Sequence, residues 1–99
     1  MLHIVNKSHA QTSALASCLR LAQPGSALLL TEDAIYAATT AAAATSGIAG
    51  AATQLEIFAL QPDVEARGMA GKLADGIKTV DYGGFVDLVA EHTTNQSWL

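Results

Sequence analysis

Four short apolar runs constrain this chain more than anything else in it: Leu2–Val5, Ala27–Leu30, Leu55–Leu60 and Ile77–Val80. Each is too short for a helix core and is bounded by polar, proline or glycine residues, which is how a buried strand reads. Helix-like segments separate them. The stretch from Gln11 or Thr12 to Ala22 places Leu15, Cys18, Leu19 and Ala22 on one face, and Pro24-Gly25 ends it. Ala34–Ala44 is expected to be helical from its alanine content, preceded by Thr31, Glu32 and Asp33 as capping residues. Ser46–Thr53, rich in small residues, reads as a fray and loop. Pro62-Asp63 opens a helical turn over Val64–Arg67 that Gly68 closes. Asp81 caps a last helix with Phe85, Val86, Val89 and His92 on one face, and Asn95–Leu99 is a polar tail apart from Trp98 and Leu99.

Strands alternating with helices predict a small three-layer α/β domain with a mainly parallel sheet of four or five strands, covered on both faces. The whole chain, 1–99, is expected to be one domain. In such sheets the functional crevice lies at the carboxyl ends of the strands. Here that means Asn6–His9, Thr31–Asp33, Gln61–Asp63 and Asp81–Tyr82.

Charge narrows the function. Charged residues are 14% of the chain while 51% is apolar, against about 25% charged in an ordinary soluble domain. A small domain exposes much of its surface, so an apolar patch is expected to meet another chain, and the isolated chain is expected to be poorly soluble or to self-associate. The five cations (Lys7, Arg20, Arg67, Lys72, Lys78) are scattered and the net charge is −4. Direct nucleic-acid binding is therefore not expected, because it needs a basic stripe. Met1–Val5 does not resemble a secretory signal, and no run approaches the roughly 18 unbroken apolar residues of a membrane span. The expected setting is cytoplasmic, with no membrane partner.

Cys18 is the only cysteine, so it forms no internal disulfide and supplies no structural zinc site. It lies about two turns into its helix on the apolar stripe, with Arg20 pointing elsewhere, a pattern that favours a packed thiol over a reactive one. It is nevertheless the one candidate catalytic residue. His3 alternates with Leu2 and Ile4 and reads as a structural histidine. His9 follows the first strand, where function is possible, and His92 suits a helix end. Glu32, Asp33, Asp63 and Asp81 read as caps, and Arg67 as a group closing its turn or meeting an acidic partner. Nucleotide, metalloprotease and hydrolase motifs are absent, so no cofactor or metal is expected.

Six stretches, in order and in register, resemble the DsrH/TusB family of sulfur-relay subunits: Met1–Ser8, Ser17–Ala22, Leu28–Ala38, Ala59–Gly68, Val80–Val89 and Gln96–Leu99. The departures are Ala34, where the family commonly has glycine, and the alanine-rich 41–52. The resemblance implies a DsrE-like fold and one of three related subunits of a heterohexamer that passes persulfide sulfur. Its implied partners are DsrE/TusD-like and DsrF/TusC-like subunits, a TusA-like donor and a DsrC/TusE-like acceptor. The destination is 2-thiouridine at the tRNA wobble position or dissimilatory sulfur oxidation. Cys18 matches the cysteine of DsrH-type chains, which some TusB-type chains lack, and this tilts the reading toward oxidation. The alternatives are an independent small sulfurtransferase using Cys18, and a purely structural or regulatory interaction subunit.

Overall fold

A computed structural model describes residues 1–98. The four apolar runs form strands β1 (Leu2–Val5), β2 (Ala27–Leu30), β3 (Glu56–Leu60) and β4 (Lys78–Val80). The polar tail supplies a fifth, β5 (Asn95–Trp98), and the order across the sheet is β4-β3-β2-β1-β5 with every pair parallel. The expected mainly parallel sheet of four or five strands is present, with five. The tail, however, is a strand and not a loose end, because β1 offers a free edge in register (Leu2 opposite Asn95, Val5 opposite Trp98). Leu99 lies outside the described residues.

Successive strands β1 to β4 step in one direction, so right-handed crossovers put their connections on one face of the sheet. That face buries Val5, Leu28, Leu30, Ile57 and Ala59 under α1 (Ala14–Leu21), a 3-10 helix (Glu32–Ala38), the single turns α2 (Ala43–Ser46) and α3 (Ile48–Ala51), and α4 (Gln61–Ala66). The last crossover runs back across the sheet from β4 to β5, which places α5 (Tyr82–Glu91) on the opposite face. There Leu88, with Phe85, packs on Leu2, Ala27, Leu29 and Phe58. Three layers result.

The helix expected over Ala34–Ala44 does not form. Alanine propensity is a weak prior that tertiary bonds override. Ala34, Ile35, Ala37 and Ala38 are fully buried in the tighter 3-10 turn. Beyond them, backbone groups that a longer helix would use internally are taken by the 72–74 segment. Thr40 N–H donates to the Lys72 carbonyl at 2.9 Å, Ala74 N–H donates to the Ala38 carbonyl at 2.8 Å, and Thr39 bridges Leu73. The Ser46 hydroxyl donates back to the Ala37 carbonyl at 2.8 Å, folding the short helices onto the 3-10 turn. The loop expected at Ser46–Thr53 likewise contains α3. Gly47, at φ +89°, is the hinge between α2 and α3, in the left-handed region that glycine adopts without strain.

Asp81 caps α5 as expected, its Oδ1 accepting from Gly84 N–H at 2.7 Å. Gly84 sits so near β4 that an added Cβ would lie 2.9 Å from the Val80 Cβ. Glycine there lets the helix start lie against the strand.

Candidate functional site at the carboxyl end of the sheet

The ends of β2 and β3 bring together two segments that are about thirty positions apart in the chain. The chain leaves β2 through Glu32 at φ +49°, a left-handed conformation that is uncommon for a side-chain-bearing residue. The Glu32 N–H donates to Asp63 Oδ2 at 2.6 Å. Arg67 Nε donates to Asp33 Oδ1 at 3.0 Å, and its Nη1 lies 3.8 Å from Asp63 Oδ1 and 3.5 Å from the Asp63 carbonyl oxygen. Pro62 starts α4 immediately after β3, which sets Asp63 in its first turn and Arg67 one turn later on the same side.

These residues depart from the sequence expectation in one respect. Glu32 and Asp33 are not helix caps: no side chain caps the 3-10 helix, and Asp33 reaches across to α4 instead. Asp63 likewise serves a tertiary bond. Arg67 does both things expected of it, bonding a carbonyl of its own turn and meeting carboxylates. The cluster is internally paired, so its chemistry is positioning: it locks the β2 exit loop to α4 and leaves the Glu32 side chain facing outward.

The β1 exit adds Asn6 and His9, whose Oδ1 and Nδ1 atoms are buried without a hydrogen-bond partner. His3, on β1 three residues before Asn6, is satisfied. The Trp98 indole N–H donates to His3 Nδ1 at 3.1 Å, and the two rings lie 6.1 Å apart. Burial, with the nearby amino-terminal charge, holds the His3 pKa below its ordinary value. His92 occupies the C-cap position of α5.

Cys18 is not in this cluster. It lies on α1 within the main core, 0% exposed beside Leu15, and burial pushes its thiol up to about 11. At neutral pH such a group is almost wholly protonated, the opposite of an activated nucleophile. We expect native Cys18 to resist iodoacetamide at pH 8 while denaturant exposes it fully, the difference being read by intact mass; rapid labelling of the folded chain would contradict this placement. A cavity of about 500 Å³ lies elsewhere, lined by Thr39, Thr40, Ala41, Met69, Gly71 and Lys72, and includes none of the candidate residues. Among the described residues no group of three or more potential metal ligands is present, and no helix is long and apolar enough to cross a membrane.

The sequence reading set Thr31–Asp33 and Gln61–Asp63 at one end of the sheet but missed the bond that joins Asp33 to Arg67. The signal available was that both leave neighbouring strands at the same sheet end with opposite charges, Asp33 and Arg67.

Comparison with known proteins agrees with this architecture. The chain is 33% identical over 98 residues to Protein TusB of Escherichia coli O81 (strain ED1a), covering 99% of this chain and 100% of the relative. Protein TusB of Serratia proteamaculans (strain 568) is 34% identical over the same coverage. Among solved structures, the ychN protein of E. coli superposes with a TM-score of 0.73 at 14% identity, covering 97% of each chain. MTH1491 of Methanobacterium thermoautotrophicum superposes with a TM-score of 0.74 at 15% identity, over 97% of this chain and 95% of the other. These two likenesses speak to the fold alone. The family described as DsrH like protein matches residues 7–95, and with full-length relatives above 30% identity the chain belongs to the DsrH-like family that includes TusB.

Proposed function

We propose that this chain is a cytoplasmic subunit of a heterohexameric sulfur-relay complex, built with DsrE/TusD-like and DsrF/TusC-like subunits. The complex takes persulfide sulfur from a TusA-like donor and passes it to a DsrC/TusE-like acceptor. The observation that carries this reading is full-length similarity to TusB proteins combined with a chain whose only thiol is sealed in its core. Transfer of a sulfane sulfur needs an attacking thiolate and access to the sulfur being attacked. A fully buried thiol raised to about 11 offers neither. The persulfide is therefore carried chiefly on a partner subunit, and Cys18 serves packing or a secondary step.

The burial of Cys18 also favours a second reading, a structural or regulatory subunit in which the thiol has no role in transfer, over an independent sulfurtransferase. Mass spectrometry of the assembled complex after loading with a sulfur donor separates these. The expected result is an adduct of about 32 Da, one sulfur atom, on a partner cysteine and little on Cys18. A stoichiometric adduct on Cys18 would reverse the roles. The companion variant is Cys18→Ala, since a serine hydroxyl buried there costs about 1–3 kcal/mol unless it finds a partner. A wild-type chain that never copurifies with related subunits would overturn the subunit reading itself. A neighbouring gene for a siroheme sulfite reductase points to sulfur oxidation, and its absence to tRNA thiolation.

A further inference from the structure

Two loops about thirty positions apart in the chain wall the cavity of about 500 Å³ that the carboxyl-end cluster leaves unused. One wall is Thr39–Ala41, where the chain leaves the 3-10 helix, and the other is the turn Met69–Lys72. Bonds between and within the walls hold them. Thr40 donates its N–H and its hydroxyl to the Lys72 carbonyl at 2.9 and 3.3 Å. The Lys72 N–H donates to the Met69 carbonyl at 3.0 Å, closing a turn that has Gly71 at φ +78°. The volume falls in the range of small-molecule sites, about 300–1,000 Å³. Thr39 is buried and Met69 half-buried, whereas Thr40, Ala41, Gly71 and Lys72 are exposed, so solvent reaches the cavity.

The lining defines the chemistry of a ligand. Lys72 is the only charged residue among the described residues that line it. Among the described residues its ammonium forms no ion pair, unlike Arg67 and Lys78. The acids of the neighbouring elements supply no counter-charge. Asp33 and Asp63 face Arg67, Glu65 accepts from Gln61 Nε2 at 2.8 Å, Glu32 stands at the opposite end of the 3-10 helix, and Asp75 is exposed outside the lining. Both threonine hydroxyls have spent their protons inside the chain, Thr39 on the Tyr36 carbonyl at 2.8 Å and Thr40 on Lys72. Their oxygens keep lone pairs, so toward a ligand they act as acceptors. Ala41, Gly71 and the Met69 thioether add uncharged, mostly apolar surface. One ammonium, two acceptors and an apolar remainder match a molecule with one negative charge, a hydroxyl donor and an apolar body.

We propose that this cavity binds a small organic hydroxycarboxylate, its carboxylate against the Lys72 ammonium and its hydroxyl on the Thr39 and Thr40 oxygens. The site is separate from the carboxyl-end cluster and does not depend on the subunit reading above.

The test is equilibrium dialysis of the full chain with three probes of one shape: 4-hydroxybenzoate, benzoate and 4-hydroxybenzamide. Saturable uptake of 4-hydroxybenzoate, one per chain, is expected. Benzoate, which lacks the hydroxyl, should bind about fivefold more weakly, and the uncharged amide at least about tenfold more weakly. Lys72→Met, which keeps the length of the side chain, should make the acid and the amide bind alike. Ala41→Phe, which fills the cavity, should abolish uptake of all three. Both positions are exposed, and circular dichroism and Tm should match wild type. If Ala41→Phe alters folding, Lys72→Met decides alone. No saturable uptake, equal affinity of the wild-type chain for acid and amide, or a preference for the acid that survives Lys72→Met overturns the site. Uptake by the free chain that vanishes when it assembles with other subunits makes the cavity a subunit interface and also overturns it.

Discussion

Replacing Asp63 with alanine is expected to cost about 2 kcal/mol of stability, within the range for a hydrogen bond to a charged group. The carboxylate accepts the Glu32 N–H at 2.6 Å and lies beside the Arg67 guanidinium. Removing it leaves Glu32 in its left-handed conformation with nothing to repay the strain. Asp63→Asn, which keeps an acceptor oxygen but not the charge, should lose less. Arg67→Ala should lose less still, on the order of 1 kcal/mol or below, because Asp33 is half-exposed and such pairs are screened by solvent. Urea unfolding of the three variants gives the ranking. Equal losses from Asp63→Ala and Asp63→Asn would mean that charge and not the acceptor geometry secures the β2 exit loop.

Acid is expected to loosen β5. His3 Nδ1 accepts from the Trp98 indole, so the native imidazole is neutral with its proton on Nε2. Protonation would set two donors against each other and bury a charge. The native pKa of His3 lies below 6.5 because burial, and then the amino-terminal charge, disfavours the cation. The sign follows from linkage. The unfolded chain binds the proton more readily, so this contribution is complete above about pH 6.5 and is lost as pH falls from there through the native value. Other ionisable groups facing the site are few: β2 and β5 carry none, and α1 carries Cys18 and Arg20. Trp98 is the only tryptophan, so its fluorescence reports the event directly. The expected result is an emission change with loss of stability below pH 6.5 that His3→Gln flattens. An acid limb unchanged in His3→Gln would assign it to other groups.

Some of this molecule was legible in its linear pattern because the forces involved are local or follow from topology. Leu28-Leu29-Leu30 is apolar on both sides, which requires a strand covered on two faces and hence a central parallel strand. Asp81 followed three positions later by Gly84 is a self-contained cap. Cys18 shares its helical face with Leu15, and periodicity alone placed it toward the core.

Other features depended on partners distant in sequence. Asn95–Trp98 has no strand-like apolar pattern, and its state was decided by the free edge of β1 and the bond from Trp98 to His3. The alanines of 34–44 favour a helix in isolation, but the 72–74 backbone and the Ser46 hydroxyl bind their polar groups in another arrangement. Glu32, Asp33, Asp63 and Arg67 had each been readable as a local cap or turn residue, and only the adjacency of β2 and β3 made them a single cluster.

By itself, then, the amino-acid pattern determined the parallel α/β layering and the burial of Cys18, since burial and helix period act on each segment alone. Tertiary structure decided the fifth strand, the broken alanine segment and the ion-paired carboxyl edge. In each of these a backbone or side-chain group must be satisfied or left exposed according to what the folded chain brings beside it.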